Sequence, residues 1–308
     1  MFPTKILLAT DGSQDAARAA RMAVTLSEKL DSELHVVHVG VVPSAYAPAE
    51  SKIVDPESYE RMREVAERQA REKLDEEVEK IENMGKVAGA HAQIGLPDAE
   101  IAHLAKEIGA GLAVVGSRGL GPLTRAVIGS VSESVVRHAH CPVLVVRGYG
   151  DGDKDYLPGR ILLAFDGSKE ATAAARAAVE IASGTGSELH VLHVLQPERY
   201  MPYHPGPEAW EWEANLARAK RLARPGLDEQ AKRMEAEGVV VAGTHVAVGK
   251  PDHEIVASGE ELDAGLVVMG SRGLSRLDRA LMGSVSDSVV RHARCPVLVV
   301  RGQKHAEG

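Results

Sequence analysis

The sequence predicts a doubly wound α/β protein with two parallel five-stranded sheets, one in each half of the chain. Three observations carry that expectation. The chain repeats itself once, short apolar runs alternate with longer helical patterns inside each copy, and 308 residues suffice for two domains. Residues 129–148 read GSVSESVVRHAHCPVLVVRG and residues 283–302 read GSVSDSVVRHARCPVLVVRG, identical at 18 of 20 positions. ILLATDGS at 6–13 returns as ILLAFDGS at 161–168, and ELHVVHV at 33–39 as ELHVLHV at 188–194. A period this long describes whole domains, unlike the short periods of solenoids.

In the first copy the apolar runs are Lys5–Ala9, Leu34–Val39, Val87–Ile94, Leu112–Val115 and Val143–Val146. They are nearly continuous in Val, Ile and Leu, as strands covered on both faces of a parallel sheet require. Helical patterns fill the intervals at about 14–30, 56–84, 97–109 and 130–139, with Pro97, Asp98 and Glu100 marking one first turn. Gly148 to Asp155 has the glycine and charge content of an exposed linker. The expected organisation is therefore a first domain over 1–148, a linker over 149–159, a second domain over 160–303 and a short tail at 304–308. The second copy departs from the first at 196–207, which carries Pro197, Pro202, Pro205 and Pro207 beside Trp210 and Trp212. This stretch reads as a surface flap with aromatic anchors, or as a lid or partner-docking element. Pro225 is expected to interrupt the helix that follows.

Composition narrows the function. Lys plus Arg number 36 against 44 Asp plus Glu, a net charge of −8 that divides evenly between the halves. With no basic half or tail, nucleic acid and anionic membrane surfaces are not expected partners. Aromatics at 3% are too few for base-stacking platforms. No apolar run reaches the length of a membrane span, and Met1-Phe2-Pro3-Thr4-Lys5 does not open a signal peptide. Two cysteines, Cys141 and Cys295, do not make a disulfide framework and read as small buried thiols. A cytoplasmic protein is expected.

The glycines are more informative. After the fourth strand comes Gly116-Ser117-Arg118-Gly119, then nine residues, then Gly129-Ser130 opening a helix; Gly270-Ser271-Arg272-Gly273 and Gly283-Ser284 repeat the set. A strand that ends in a tight glycine turn beside a helix N-terminus presents backbone N–H groups to phosphate. Asp11 and Asp166 end the first strand of each copy and are expected to face these loops across the crevice where strand order reverses. Taken singly, each element has a plainer reading. Ser130 with Glu133, and Ser284 with Asp287, fit a capping box, and Asp11 or Ser13 fits a helix cap. The conjunction, present twice, favours a phosphate site.

Other chemistries lack their motifs. Gly85-Lys86 and Gly249-Lys250 are followed by Val87 and Pro251, so no P-loop is present. Gly119 and Gly121 open a dinucleotide fingerprint that Pro122 and Thr124 break. There is no G-x-S-x-G nucleophile elbow. Of thirteen histidines, His35 with His38 and His190 with His193 are the obvious metal candidates, but residues three apart on a strand point to opposite faces. Packing or surface roles are expected for them.

On these motifs the chain resembles a tandem universal stress protein, and the resemblance covers nearly all of both copies. The spacing G-x₂-G-x₉-G-[ST] is similar to that of the family's ATP-binding branch. The resemblance implies a Rossmann-like fold of the adenine nucleotide alpha hydrolase type, with ATP as ligand. It implies that Ala9, Thr10, Asp11 and Val39 line the adenine and ribose, that Gly116, Arg118 and Gly119 wrap the phosphates, and that Gly129, Ser130, Val131 and Ser132 hold their far side. The matching positions are Ala164, Phe165, Asp166, Val194, Gly270, Arg272, Gly273, Gly283, Ser284, Val285 and Ser286. Asp11 and Asp166 would meet a divalent cation, such as Mg²⁺, bridging the phosphates. Phe165 replaces Thr10 and departs from the first copy, so unequal sites are expected. The resemblance further implies a pseudo-dimer through antiparallel pairing of Val143–Val146 with Val297–Val300, a homodimer of such chains, and an unidentified regulatory protein partner.

Two functions remain open at this point. One is a nucleotide-binding stress-response regulator with little or no turnover, hence not an enzyme and without catalytic residues. The other is a slow Mg-dependent ATP hydrolase. Hydrolysis needs a positioned water and charge neutralisation at the transferred phosphoryl group. The loops offer amides, serines and one arginine each, which favours binding.

Overall fold

Ile6, Leu7 and Leu8 have no exposed surface. Three consecutive side chains of a strand leave water together only when both sheet faces are covered, which is why Lys5–Ala9 lies inside a sheet. The computed structural model describes residues 3–42, 56–119, 128–147, 158–196, 209–273 and 282–301. The chain divides into two units, Met1–Tyr156 and Leu157–Gly308. The expected tail, the linker before Pro158 and the prolines between 197 and 207 lie outside the described residues.

The first unit runs β1 (Lys5–Ala9), α1 (Gln14–Lys29), β2 (Glu33–Gly40), α2 (Pro56–Glu82), β3 (Gly89–Ile94), α3 (Pro97–Glu107), β4 (Leu112–Gly116), α4 (Ser130–His138) and β5 (Val143–Val146). Its strands lie parallel in the order β3-β2-β1-β4-β5, with Ile6 opposite Leu34 on one side and Leu112 on the other. The second unit runs β6 (Arg160–Ala164), α5 (Lys169–Thr185), β7 (Glu188–Leu195), α6 (Ala209–Ala236), β8 (Val241–Val248), α7 (Pro251–Glu261), β9 (Leu266–Gly270), α8 (Ser284–His292) and β10 (Val297–Val300). The order β8-β7-β6-β9-β10 is the same, again parallel, with Ile161 between Leu189 and Leu266. The expected doubly wound sheet is present in each unit. Chain direction across the sheet reverses between β1 and β4, and between β6 and β9, so the loops leaving those strands part and open a crevice at their carboxyl ends.

The helices follow from local chemistry. Ser13 caps α1 by accepting a hydrogen bond from the Ala16 amide, Asp15 sits in the first turn and Lys29 in the last. Its buried face combines Ala16, Ala19, Ala20 and Ala23 with Met22, Val24 and Leu26. Helix α2 buries Ala66, Ala70, Leu74, Glu77 and Ile81, a stripe at helical spacing whose charged member needs partners. In α6 the stripe is Leu227, Ala231 and Met234.

Two expectations differ from the structure. Helix α6 continues through Pro225 rather than stopping at it. Arg221, Arg224, Pro225 and Gly226 are all exposed, so water can satisfy the carbonyl that loses its amide partner. Strand β3 starts at Gly89, two residues into the Val87–Ile94 run, and is only partly buried, as an outer strand of its unit. Cys141 and Cys295 are buried and free, and among the described residues no helix is long and apolar enough to cross a membrane.

Candidate functional site

The loop after β1 is shaped by its own side chains. Asp11 Oδ1 accepts the Ser13 amide at 2.9 Å, and Asp166 Oδ1 accepts the Ser168 amide at 3.0 Å. These turns hold each aspartate at the strand end, where its other oxygen faces the glycine loop. A Cβ built on Gly119 would fall 2.5 Å from Asp11 Oδ2, and one on Gly273 would collide with Asp166 Oδ2. The expected approach of strand-one aspartate to glycine loop is thus present in both units.

On the far side, α4 and α8 begin at Gly129 and Gly283, which have no side chain to cap them. The capping boxes expected of Ser130 with Glu133 and of Ser284 with Asp287 do not form. The serines are the first helical residues, one position past the cap. Glu133 pairs with Arg137 and Asp287 with Arg291, each at 3.0 Å. The Gly129 amide donates to the Ser117 carbonyl at 2.7 Å, and Ser132 Oγ donates to that carbonyl at 3.0 Å. Gly283 and Ser286 do the same to Ser271 at 2.9 and 2.8 Å. These bonds bind the glycine loop to the helix start, while among the described residues the first-turn amides of 130–132 and 284–286 receive no side-chain cap, since Gly129 and Gly283 have none to give. Uncapped first-turn amides carry the positive end of the helix dipole. Helix α1 contrasts, because Ser13 has already used its N-terminus.

In the second unit these parts enclose a crevice of about 930 Å³, counting its open mouth. Every position expected of the second site lines it: Ala164, Phe165, Asp166, Val194, Gly270, Arg272, Gly273, Gly283, Ser284, Val285 and Ser286. The sequence reading missed Ala171, Leu192, His193, Gln196, Pro251, Ile255 and Met269. Most are apolar residues without a motif, and only their positions on α5, β7, α7 and β9 bring them to the wall. His193 had one local signal, its recurrence as His38. Both rings reach back through Nδ1 to the strand-one carbonyl, His38 to Thr10 and His193 to Phe165, each at 2.8 Å.

In the first unit Ala9, Thr10 and Asp11 leave β1, Val39 lies near the end of β2, Gly116 ends β4, and Gly129 to Ser132 open α4. Residues 120–127 lie outside the described residues. Arg118 belongs to the glycine loop, but its guanidinium turns to Asp15, with Nε 3.0 Å from Oδ2. Asp15 is buried and also accepts from Ser117 and Arg18. Burial pushes its carboxyl up, and the bonds from Ser117 and Arg118 outweigh this, so its pKa lies below the usual value.

The units differ beneath the strand-one loop. Thr10 Oγ1 donates to buried Glu77 at 3.2 Å, and Lys73 and Lys80 lie 3.8 and 2.7 Å from the same carboxylate. In the second unit LDEQ at 227–230 answers LDEE at 74–77, so Gln230 stands where the first unit has Glu77, beside Gly226 and Arg233 in place of Lys73 and Lys80. The change from Thr10 to Phe165 therefore accompanies loss of the buried carboxylate that Thr10 bonds, with Gln230 at the position of Glu77.

Among the described residues no three His, Cys, Asp or Glu side chains converge as a metal site. A cation at Asp11 or Asp166 would need further oxygens from a bound phosphate.

Comparison with known proteins agrees with this architecture. The model of the universal stress protein family matches twice, over residues 3–147 and 158–301. A universal stress protein of Mycolicibacterium smegmatis is 30% identical over 304 residues, covering 96% of both chains. Relatives from Mycobacterium tuberculosis and Mycobacterium bovis are 36% identical over 192 residues, a match that spans 62% of this chain and only 61% of theirs. The crystal structure of a universal stress protein from Archaeoglobus fulgidus superposes with a TM-score of 0.66 at 26% identity, covering 97% of each chain. Two domain matches and a full-length relative, on two copies of one doubly wound sheet, establish that the chain belongs to the universal stress protein family.

Proposed function

We propose that each unit binds ATP in the crevice between the ends of its first and fourth strands, and that the protein is a stress-response regulator with little or no turnover. The observation that carries this reading is the pairing of an uncapped helix N-terminus with a glycine loop, both opposite an aspartate held by its own turn. The triphosphate would lie against the amides of residues 130–132 and 284–286, with Gly119 and Gly273 leaving room for it. The apolar wall of Ala164, Leu192, Val194 and Met269 suits the base in the second unit. Asp11 and Asp166 would take the ribose or a phosphate-bound Mg²⁺.

Slow hydrolysis is the competing reading, and the lining of the second crevice weighs against it. Among the residues described there, Arg272 is the permanently charged cation and Asp166 the carboxylate, with no lysine. Phosphoryl transfer ordinarily uses more charge than this together with a group that orients water. In the first unit Arg118 is already paired with Asp15.

Calorimetric titration of the full chain with ATP and Mg²⁺ tests binding, and single-turnover hydrolysis tests chemistry. Saturable heat with a thermal shift and slow, aspartate-independent turnover is the expected result. No heat and no thermal shift would remove the assignment. Turnover on the timescale of binding, abolished by Asp11→Ala with Asp166→Ala, would make the protein a hydrolase.

A further inference from the structure

Each unit carries a histidine pair that the crevice does not use. His35 on β2 and His91 on β3 bring Nδ1 and Nε2 to 3.0 Å, and His190 on β7 and His245 on β8 bring the same two nitrogens to 3.1 Å. The ring centroids are 5.3 Å apart in both pairs. The pairs sit near the amino ends of the parallel strands, where His35 lies opposite Gly89 and His190 opposite Gly243. The nucleotide crevice is at the other end.

Two imidazole nitrogens this close share one electrophile, either a proton or a metal ion. At a metal–nitrogen distance of about 2.0–2.1 Å, adjacent ligands of a tetrahedral or octahedral ion lie roughly 2.9–3.4 Å apart. The observed spacings fall in that range, so an ion can enter without movement of the backbone.

Three further features point to a metal. The first is bare backbone beside the nitrogens. A Cβ on Gly89 would fall 2.5 Å from His35 Nδ1 and 3.2 Å from His91 Nε2. A Cβ on Gly243 would fall 3.0 Å from His245 Nε2 and 3.3 Å from His190 Nδ1. Glycine therefore keeps the space open in both units. The second feature is a carboxylate behind the ring. Glu33 Oε2 lies within hydrogen-bond reach of His35 Nε2 at 3.5 Å, while Glu188 Oε2 lies near His190 Nε2 at 3.9 Å without a hydrogen bond. In the first pair the Glu33 carboxylate retains the proton on Nε2 and leaves the Nδ1 lone pair for a ligand, the outer-shell arrangement of metal-bound histidines. The third feature is burial. His190 is 9% exposed.

The surrounding charges are Lys5 on Glu33, Arg160 on Glu188, Glu107 facing His91 and Arg224 facing His245. Burial first, then the neighbouring ring, lowers the pKa of His91 and of His190; burial and then Arg224 lower that of His245. Near neutral pH these rings are therefore neutral, the form that binds metal.

We propose that His35 with His91, and His190 with His245, form two equivalent sites for a borderline transition-metal cation of the Zn²⁺, Ni²⁺ or Cu²⁺ class, completed by water. The proposal is independent of the nucleotide reading. It is tested on the untagged full chain after chelator treatment, titrated calorimetrically with ZnCl₂ and, for electron paramagnetic resonance, with CuSO₄. Expected are two equivalents per chain at pH 7.5, a higher melting temperature with zinc, and copper hyperfine structure from two nitrogens. His91→Gln should leave one equivalent, and His91→Gln with His245→Gln none, with circular dichroism unchanged. Absence of binding, or binding that survives the double substitution in folded protein, would overturn the proposal. The first result would leave the pairs as proton-sharing contacts, and the second would assign the metal to surface histidines. Should the glutamine variants not fold, Gly89→Ala with Gly243→Ala must weaken zinc binding at least tenfold, and unchanged affinity there would equally refute the sites.

Discussion

Arg118 Nε lies 3.0 Å from Asp15 Oδ2, and the same oxygen accepts the Ser117 hydroxyl at 2.7 Å. One buried carboxylate thus holds two residues of the glycine loop against α1. Replacing it with Asn keeps the shape but removes the charge, and is expected to lower stability of the first unit by about 1–3 kcal/mol. The pH dependence has a definite sign. Because the folded pKa is depressed below the ordinary 3.8, the stabilisation is present above that value and is lost as pH falls through it toward the folded pKa. Urea titrations between pH 7 and pH 3 check this: the wild type should lose more stability on acidification than Asp15→Asn.

Gly119 and Gly273 are expected to tolerate no side chain without cost to the site, because the first added carbon meets the strand-one aspartate. Gly119→Val with Gly273→Val should reduce ATP affinity at least a hundredfold, about 2.7 kcal/mol, while the circular dichroism spectrum is retained. Calorimetry on the folded variant is the check. Unchanged affinity would separate the glycine loop from the site.

The hydrogen bond from Thr10 to Glu77 belongs to the first unit alone. Thr10→Val should cost about 1–2 kcal/mol, since it leaves a buried carboxylate with one partner fewer. Urea denaturation reads the stability. A loss below a few tenths of a kcal/mol would show that Lys73 and Lys80 satisfy Glu77 by themselves.

Helix α6 contains Pro225 and Gly226 side by side on exposed backbone, and a Cβ at Gly226 would meet nothing within 4 Å. Gly226→Ala should therefore stabilise the second unit by about 0.5–1 kcal/mol, and Pro225→Ala by up to about 3 kcal/mol. Thermal melts should rise in that order. A fall with Pro225→Ala would mean that the ring makes a favourable contact.

Much of the architecture was legible because it rests on local or repeated signals. The run from Ile6 to Leu8 announces a strand buried on both faces, and Pro97 with Asp98 announces the start of α3. The glycine loops were legible for the same reason: Gly116 to Gly119 and Gly129 follow each other closely and recur. The lining supplied by Leu192, Ile255 and Met269 was not, because an apolar residue that faces a crevice looks in sequence like one that faces the core. Pro225 misled because propensity describes an isolated helix, whereas here the exposed backbone lets water take the place of the lost bond.

The sequence by itself determined the duplication, the strand–helix alternation and the glycine loops that recur in each unit, since periodicity and composition act over a few residues at a time. Tertiary structure alone decided which groups answer which. Gly129 rather than Ser130 takes the cap position, Asp15 holds Arg118 across 103 residues, and His35 meets His91 across 56. Such partners are chosen by the register of strands and the rotation of helices against them, and neither quantity is written in any short stretch of chain.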